Sequence, residues 1–364
     1  MKKTVVGILF GGKSAEHEIS LLSAKNIHEA IDREKFEPVL VGIDKSGRWI
    51  LNEAENFLLN SDNPALISLN TAGRTVALQS ENRGLLASDS EKKFSSVHID
   101  VVFPILHGPF GEDGTIQGFL KLADIPFVGP GVLGSSVGMD KDVMKRLLRD
   151  AKLPIGKFIT VKSNESAPSF AEIEAALGKP VFIKPSNMGS SVGINKVHDE
   201  SEYAAALKDA FQYDTKIIIE EYIPGREIEC AVLGNEEPIA SVPGEVIPSH
   251  EFYSYDAKYL DENGAALVIP AMLDDKTKEQ IQALAVKVFQ ALCCEGLSRV
   301  DFFLKENGEI IVNEINTMPG FTRISMYPKM WEASGISYTE LITRLIELAL
   351  ARFEKERKLK TSVV

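Results

Sequence analysis

The feature that most constrains the fold is a segment toward the C-terminal end that predicts a β-hairpin. Two apolar runs with alternating character flank the dipeptide Asn307-Gly308, which is the strongest short-range signal for a two-residue hairpin turn. With that turn, Asp301 faces Glu314 and Arg299 faces Asn316. Because side chains alternate along a strand, these four side chains project from one face, and the intervening apolar residues point into a core.

The four side chains on this face predict a site for a divalent cation. Directly opposed residues have Cβ atoms about 4.5–5.5 Å apart, so two carboxylates repel unless a positive charge lies between them. Carboxylate and amide oxygens suit Mg²⁺ or Mn²⁺ in a phosphate site, which predicts Asp301, Glu314 and Asn316 as ligands. Arg299 would bind a phosphate or a developing oxyanion. The alternative is a solvated hairpin with an ordinary cross-strand ion pair.

Composition excludes several classes of function. The chain has 364 residues, of which 44% are hydrophobic, enough for two or three domains. Its net charge of -12 and the lack of a basic run argue against nucleic acid or an anionic membrane as partner, and favour a small substrate. The 3 cysteines show no disulfide or metal spacing, and the first apolar run is too short for a signal peptide. We expect a soluble cytoplasmic protein.

The first third of the chain predicts alternating strands and helices with a parallel sheet. Strands are expected at residues 4–10, 38–44 and 99–106. A glycine turn after the first strand presents Glu16 near a helix N-terminus, where open α/β sheets bind ligands, although Glu16 could simply favour the helix dipole. Residues 61–96 show little pattern and are expected to be an insertion or a mobile surface segment.

One motif in this region is misleading. Residues 7–14 formally match the phosphate-loop pattern G-x-x-x-x-G-K-[ST]. The middle of the pattern continues the strand, however, so only residues 11–14 remain for the turn, too few to surround a phosphate. We therefore expect a plain glycine turn.

The central part of the chain contains candidates for nucleotide binding. Lys184 ends a predicted strand and leads into PSNMGSSVG, where backbone amides and hydroxyls can approach a phosphate. A flexible hairpin loop would explain the glycines but not the preceding lysine. Glu220 could accept a hydrogen bond from an adenine amino group and Glu227 could hold ribose hydroxyls, or either could be a solvated acid. A helix at 141–151 is expected to place Lys145 on an exposed turn.

The motifs together resemble the ATP-grasp fold. With the segments GGKSAEHEIS, HGPFGEDG, MDK, YDAKYL and NTMPGF, the resemblance narrows to the D-alanine:D-alanine ligases and covers nearly the whole chain. It implies a mixed α/β, three-domain architecture. The N-terminal substrate domain would span 1–138, the central ATP-grasp domain 139–226, and the C-terminal domain, with the metal site and a lid at 248–264, 227–364.

The resemblance also implies the ligands. ATP and two Mg²⁺ or Mn²⁺ ions would be bound, the metals by Asp301, Glu314 and Asn316. The residues implied around the nucleotide are Lys141, Lys184 and Ser191 at the phosphates, Glu220 and Ile223 at the adenine, and Glu227 at the ribose.

The implied reaction is ligation of two D-alanines through an acyl phosphate, for peptidoglycan precursor synthesis. Glu16 would anchor the first substrate's ammonium and form a hydrogen-bonded triad with Ser190 and Tyr259. Arg299 and the amide of Gly320 would be the oxyanion donors. The remaining implied contacts are Lys258 with the transferring phosphate and Ser325 with the second carboxylate.

Alternatives to this function remain open at this point. They are a D-alanyl-D-lactate or D-alanyl-D-serine ligase and a non-catalytic ATP-binding regulatory protein. The Ala257-Lys258-Tyr259 pattern favours an amine as second nucleophile, and Arg299 beside the metal acids speaks against binding alone. The resemblance further suggests a homodimer formed through the first domain.

Overall fold

The structure is a computed structural model that describes residues 2–61, 63–64, 66–79, 84–88, 94–248, 265–360 and 362. In this part of the chain, helices pack on one sheet of seven strands, one of four and one of six, so the predicted mixed α/β class is confirmed. The predicted lid with Lys258 and Tyr259 lies outside the described residues, apart from its first residue, Pro248.

The first sheet is built from the N-terminal part of the chain and has the strand order β8-β7-β6-β3-β2-β1-β9. A separate short pair, β4-β5, lies beside it. The strands are β1 (Thr4–Gly11), β2 (Phe36–Ile43), β3 (Trp49–Asn52), β4 (Leu58–Leu59), β5 (Ser68–Leu69), β6 (Arg74–Gln79), β7 (Gly84–Ser88), β8 (Phe94–His98) and β9 (Val101–Ile105).

Strand β1 lies next to the edge strand β9 and pairs in parallel with β2 and β9, as predicted. Its apolar residues are buried on both faces because helices cover both. Ile8 and Phe10 pack with helix α1 (His17–Ala30), whereas Leu9 belongs to a second core with helix α2 (Thr115–Leu122). Since β1 runs through Gly11, the strand does fill the middle of the misleading phosphate-loop pattern.

The expectation for residues 61–96 was wrong. The described parts of this segment form strands β5 to β8, and β6, β7 and β8 extend the first sheet in antiparallel pairing. Edge strands such as β8, whose residues are mostly exposed, have no apolar alternation. The sequence pattern therefore gives no sign of them.

The central part of the chain forms the second sheet, in the order β10-β13-β11-β12. A capping box formed by Ser169 and Glu172 opens its first flanking helix, which ends at Gly178. The elements are α3 (Val132–Met139), α4 (Lys141–Asp150), β10 (Phe158–Lys162), α5 (Phe170–Leu177), β11 (Val181–Pro185), β12 (Asn195–Val197), α6 (Glu200–Ala210) and β13 (Lys216–Glu221).

The last part of the chain forms the third sheet, in the order β17-β16-β14-β18-β19, with β15 paired to β14. The elements are β14 (Arg226–Gly234), β15 (Ile239–Ala240), β16 (Gly244–Pro248), β17 (Ala265–Val268), α7 (Asp275–Ala291), β18 (Gly296–Leu304), β19 (Ile310–Asn316), α8 (Met326–Ala333) and α9 (Tyr338–Glu356).

Helices α8 and α9 connect the third sheet to the first. They share one apolar core with α1 and β1. Within that core the rings of Phe103 on β9 and Phe321 pack edge to face, with 5.7 Å between centroids. Helix α7 packs instead on the other face of β18, through the apolar stripe that its sequence predicts, including Ile281, Ala285 and Phe289. The chain segment between β19 and α8 is therefore held between two sheets.

Candidate active site

Strands β18 and β19 form the predicted hairpin, but the predicted two-residue turn was wrong. The amide of Lys305 donates to the carbonyl of Glu309 at 2.9 Å, so residues 306–308 form the loop. Gly308 has a φ of +83° there, which is typical of a three-residue loop that ends in a left-handed glycine.

A bulge restores the predicted register at the acids. Next to the loop the pairing is offset by one residue, with Phe302 opposite Val312. Between there and the acids β19 contains one extra residue, Asn313. Asp301 therefore faces Glu314, as predicted, and Arg299 likewise faces Asn316. Asn313, which the sequence reasoning missed, also lines the cavity described next.

A cavity of about 550 Å³ collects most of the predicted site residues. Its walls come from the first-sheet loops, the loop after β11, and strands β14, β18 and β19. The predicted residues that line it are Glu16, Lys141, Ser190, Glu227, Arg299, Asp301, Glu314, Asn316, Gly320 and Ser325. Among the described residues, four predicted nucleotide contacts are not part of its wall: Lys184, Ser191, Glu220 and Ile223.

Arg299 lies between two carboxylates on neighbouring strands. Its Nε and Nη2 donate to the two oxygens of Asp301, both at 2.7 Å, and its Nε is 3.0 Å from Glu229 Oε2. Glu229 on β14 pairs directly with Asp301. The sequence reasoning missed Glu229, although the alternation Arg-Glu-Ile-Glu places it on the same face as Glu227. Three acids therefore lie side by side across β14, β18 and β19, with one guanidinium among them.

Lys141, at the first position of helix α4, reaches into the cavity between two elements. Its Nζ donates to the carbonyl of Met188 at 2.7 Å and lies 3.4 Å from Glu314 Oε2. Met188 belongs to the glycine- and serine-rich loop after β11. The lysine thus connects this loop of the second sheet to the acidic face of the third.

Glu16 and Ser190 meet across the cavity, as the resemblance implied. The Ser190 hydroxyl donates to Glu16 Oε1. This contact joins the loop after β1 to the glycine- and serine-rich loop after β11, which we call the serine loop. Ser190 and Ser191 have φ values of +51° and +62°. Left-handed conformations cost energy for residues other than glycine, and they concentrate at binding loops.

Gly108 in the HGPFGEDG segment leaves room for that contact. It has a φ of +73°, and a Cβ atom there would lie 2.7 Å from Glu16 Oε2. Its amide donates to Glu112 Oε2 at 2.9 Å. The loop therefore packs its backbone directly against the Glu16 carboxylate.

A second ionic group lies beside the cavity and joins helix α4 to strands β11 and β13. Glu220 contacts Lys145 at 2.6 Å and Lys184 at 2.7 Å, one lysine on each carboxylate oxygen. Burial alone would raise the pKa of Glu220, but the two ammonium groups outweigh it and lower the pKa to about 2. Burial lowers the pKa of Lys184, but the charges of Glu220 and Glu314 raise it overall. Glu220 and Lys184 are therefore both charged at neutral pH.

The expectation that Lys145 is exposed was wrong, since its side chain is only 3% exposed. Helical periodicity predicted that Lys145 faces solvent. Its side chain instead forms an ion pair with Glu220 on β13 of the second sheet. The adenine contact predicted for Glu220 stays a prediction, because both of its oxygens bind lysines in this structure. The phosphate contact predicted for Lys184 likewise stays a prediction, because its ammonium group pairs with Glu220 in this structure.

The loop that contains Gly320 is held by buried groups of the first sheet. The Phe321 amide donates to Ser23 Oγ at 3.1 Å, and Ser23 in turn lies 3.3 Å from His107 Nε2. His107 Nδ1 is 3.1 Å from the Met318 carbonyl. Burial lowers the pKa of His107, but Glu112 raises it above the ordinary value. His107 is thus a buried histidine that supports the Gly320 loop.

The donor set on the hairpin fits a hard divalent cation. Asp301, Glu314 and Asn316 offer only carboxylate and amide oxygens, as Mg²⁺ prefers. Within the described ranges, no group of three or more His, Cys, Asp or Glu side chains is arranged to hold a metal by itself. A cation here would take further oxygens from a phosphate, and Asp301 would exchange an Arg299 contact for the metal.

Comparison with known proteins decides the family. Models described as D-ala D-ala ligase N-terminus and C-terminus match residues 5–130 and 147–347. The chain belongs to the D-alanine–D-alanine ligase family. A D-alanine--D-alanine ligase from Shouchella clausii is 56% identical over 100% of this chain and 99% of its own. D-alanine--D-alanine ligase A from Escherichia coli K12 is 53% identical over 100% of both chains.

Solved structures of related ligases share the fold. The enzyme from Coxiella burnetii superposes with a TM-score of 0.85 at 37% identity, covering 98% of each chain. The VanG D-Ala:D-Ser ligase from Enterococcus faecalis superposes with a TM-score of 0.84 at 39% identity, covering 96% of this chain and 100% of that one. The predicted ATP-grasp architecture is thereby confirmed. In the described part of the chain, no helix is long and apolar enough to cross a membrane.

Proposed function

We propose that the cavity catalyses ATP-dependent ligation of two D-alanines to D-alanyl-D-alanine. The observation that carries the proposal is the convergence of three groups on one space. These are the hairpin acids with Arg299, Lys141 at the start of α4, and the Glu16–Ser190 contact. Full-length relatives at 53–56% identity are named for the same reaction.

ATP would lie between the second and third sheets. Lys141 is already directed at the cavity by Met188 and Glu314, which suits a phosphate contact. Lys184 and Ser191 would complete the phosphate contacts. Glu220 and Ile223 would contact the adenine, and Glu227 the ribose. Among these residues Glu227 lines the cavity on the same strand as Glu229.

Asp301, Glu314 and Asn316 would hold two divalent cations. When bound, the cations would neutralise the phosphate oxygens and align them for transfer. The three acids of the neighbouring strands already give this wall the negative charge that cations require, and Arg299 offsets it only in part.

In the first step, a carboxylate oxygen of the first D-alanine attacks the γ-phosphorus. A new O–P bond forms, the bond to the β-phosphate oxygen breaks, and ADP leaves. Glu16 would bind the ammonium of this substrate, with Ser190 fixing the carboxylate orientation. Such anchoring converts a bimolecular reaction into one between aligned groups.

In the second step, the amine of the second D-alanine attacks the acyl carbon, loses a proton, and displaces phosphate. Negative charge develops on the acyl oxygen, where Arg299 and the amide of Gly320 would donate hydrogen bonds. One such donor contributes about 3 kcal/mol to barrier lowering. Ser325 would receive the second carboxylate. Lys258 would contact the transferring phosphate and Tyr259 would close the site against water.

We further infer the organisation of the whole protein. The domains would span 1–138, 139–226 and 227–364, each built around one of the three sheets, with the last boundary falling after the first residue of β14. Two chains would form a homodimer through the first domain, where Phe119 and Leu122 on α2 expose apolar side chains. Sedimentation should then give twice the mass of one chain, and the monomer mass would contradict this.

The reaction would take place in the cytoplasm, where ATP is available, and fractionation of cells tests that location.

Substitution Glu314→Gln tests the proposed site. The variant retains the shape of the side chain but loses the charge that would bind the cations, so turnover should fall at least about a hundredfold. The matched control is Glu309→Gln at the solvated end of the same hairpin, where Glu309 forms a surface ion pair with Lys305. It should keep full activity. Normal turnover by a folded Glu314→Gln enzyme would refute the metal assignment.

A further inference from the structure

A cluster of charged side chains lies behind the cavity, at the start of helix α4. Lys216, the first residue of β13, contacts the two oxygens of Asp140 at 2.7 and 2.6 Å. It also contacts Asp142 Oδ2 at 3.1 Å. The three side chains are largely buried, with 8–18% of each exposed. The established motifs assign no role to Lys216.

The two aspartates flank Lys141 in sequence and fix the start of its helix. Asp140 is the N-cap residue of α4 and accepts from the Val143 amide at 3.1 Å. Asp142 accepts from the Thr160 hydroxyl at 2.9 Å. Burial would raise the pKa of Asp142, but Thr160 and Lys216 lower it, so the carboxylate is charged. The lysine of β13 thus holds both residues that frame Lys141.

The same end of β13 also fixes the serine loop. Asp214 accepts from the amide and the side chain of Asn187 at 2.8 and 2.9 Å. The Ser186 amide donates to the Lys216 carbonyl at 3.0 Å, and the Lys141 amide donates to the Ser186 carbonyl at 3.0 Å. Consequently the backbone of Lys141 and the loop that receives its side chain at Met188 share one anchor.

We propose that Lys216 is a positioning residue for the nucleotide site, which it serves by holding the start of α4 against the serine loop so that Lys141 points into the cavity. The inference rests on the proposed role of Lys141 at the phosphates. Lys216 itself does not line the cavity, so it acts through Asp140 and Asp142.

Charge balance explains why a lysine is needed at this position. Asp140 and Asp142 repel each other and attract the nearest cation. Lys216 satisfies both, with help from Arg146, which contacts Asp142 at 2.8 Å but is 54% exposed. Asp140 and Asp142 are the two sequence neighbours of Lys141. Without Lys216, their carboxylates would compete with a phosphate for the Lys141 ammonium.

The test compares Lys216→Met with a conservative variant, Lys216→Arg, and a matched control, Arg146→Gln. The control removes a cation from Asp142 without changing the contacts of Asp140. Lys216→Met should raise the KM for ATP and the Kd for ADP about tenfold, and leave the KM for D-alanine within about twofold, because misplacement of a binding group weakens only its own contact. Lys216→Arg should recover most of the affinity. Arg146→Gln should change neither constant.

Thermal unfolding of each variant separates a positioning role from a structural one. If Lys216→Met lowers the Tm but leaves the KM for ATP and the Kd for ADP unchanged, the residue is only structural and the proposal is wrong. The same conclusion follows if ATP and D-alanine are affected equally. A parallel Lys141→Met variant tests the underlying assignment: if it binds ADP normally, the proposed nucleotide site fails, whatever Lys216 does.

Discussion

At the scale of single residues, the buried charges of this ligase are arranged around shared partners. Glu220 is bound by two lysines and Arg299 by two carboxylates. A buried ion costs several kcal/mol in lost hydration, which only close and well-directed partners offset. Removing one partner therefore leaves the others uncompensated. Such positions give large and specific effects on stability and on binding.

The pH dependence of stability provides a test of the Glu220 group. Its pKa in the folded protein, about 2, lies below the ordinary value of 4.5. Its contribution is therefore present above pH 4.5 and is lost as the pH falls toward 2. At neutral pH it amounts to about 3 kcal/mol.

Glu220→Gln should accordingly lower the free energy of unfolding at pH 7 and flatten its decline between pH 4.5 and 2. Chemical denaturation across that range provides the measurement. Glu174→Gln serves as control, since that side chain forms an exposed pair with Lys179 and should behave like the parent protein. Parallel acid limbs for Glu220→Gln and the parent protein would argue against the shifted pKa.

Gly108→Ala should weaken binding of the first D-alanine. The added Cβ would lie 2.7 Å from Glu16 Oε2 and would push the carboxylate away from Ser190. We expect the KM for D-alanine to rise about tenfold, because a small displacement of an anchoring group has a large effect. The KM for ATP should change little.

The control for this variant separates steric contact from backbone strain. Gly335 also has a positive φ, +89°, but a Cβ there would meet nothing within 4 Å. Gly335→Ala should therefore lose some stability and keep its KM for D-alanine. Equal KM values in Gly108→Ala and Gly335→Ala would show that the Glu16 contact is not displaced.

At the scale of secondary structure elements, helix α9 illustrates how a distant element fixes the site. Arg352 on α9 donates to the carbonyls of Gly129 and Phe127 at 2.6 and 2.8 Å. Its guanidinium also lies 4.7 Å from the centroid of the Phe127 ring. The loop that it holds leads into helices α3 and α4. The C-terminal helix is thus attached to the segment between the first two sheets.

Arg352→Met should destabilise the protein by about 3 kcal/mol, because two buried carbonyls lose their donor and the remaining polar groups stay buried. Arg344→Met on the same helix removes only an exposed pair with Glu340 and should cost less than about 1 kcal/mol. Urea unfolding of both variants at pH 7 gives the comparison. Similar losses in the two would contradict the proposed attachment.

The elements that are predictable from the sequence are those with strong local patterns. Strand β1, helix α7 and the capping box of α5 all have apolar periodicity or a capping signal that depends on neighbouring residues alone. The short strands β6 to β8 have neither, and they form because the edge of the first sheet is available to them. The bulge at Asn313 was not predicted either, because no local pattern marks it. The longer turn and the extra residue cancel, so the pairing of the acids was correctly predicted even though the turn was not.

The candidate site divides in the same way. Asp301 and Glu314 were predictable because cross-strand pairing follows from one hairpin. Glu229 was missed because its partners lie on the neighbouring strand β18, and Lys145 because its partner Glu220 lies on β13 rather than on its own helix. One sequence pattern does not reveal which elements become neighbours. Glu16 and Ser190, which are far apart in sequence, were predicted together only through the family resemblance.

At the scale of the whole molecule, the three sheets and their loops contribute side chains to one cavity. The first would supply the anchor for an amino acid, the second the loop and lysines for a nucleotide, and the third the acids and the oxyanion donor. An acyl phosphate reacts with water, so chemistry of this kind requires the three parts to close around it. The contacts of Lys141 with Met188 and Glu314 already connect the second part to the third.

The most direct test of the central claim is ADP release by the purified protein with ATP and Mg²⁺, with products identified by mass. D-alanine, L-alanine, and D-alanine with D-lactate or D-serine would be compared. The account predicts ADP release that depends on D-alanine and is matched by D-alanyl-D-alanine, even when D-lactate or D-serine competes. A mixed product with D-serine or D-lactate as the main species would contradict the assigned second substrate. No D-alanine-dependent ADP release from folded protein that binds ATP would contradict the function itself.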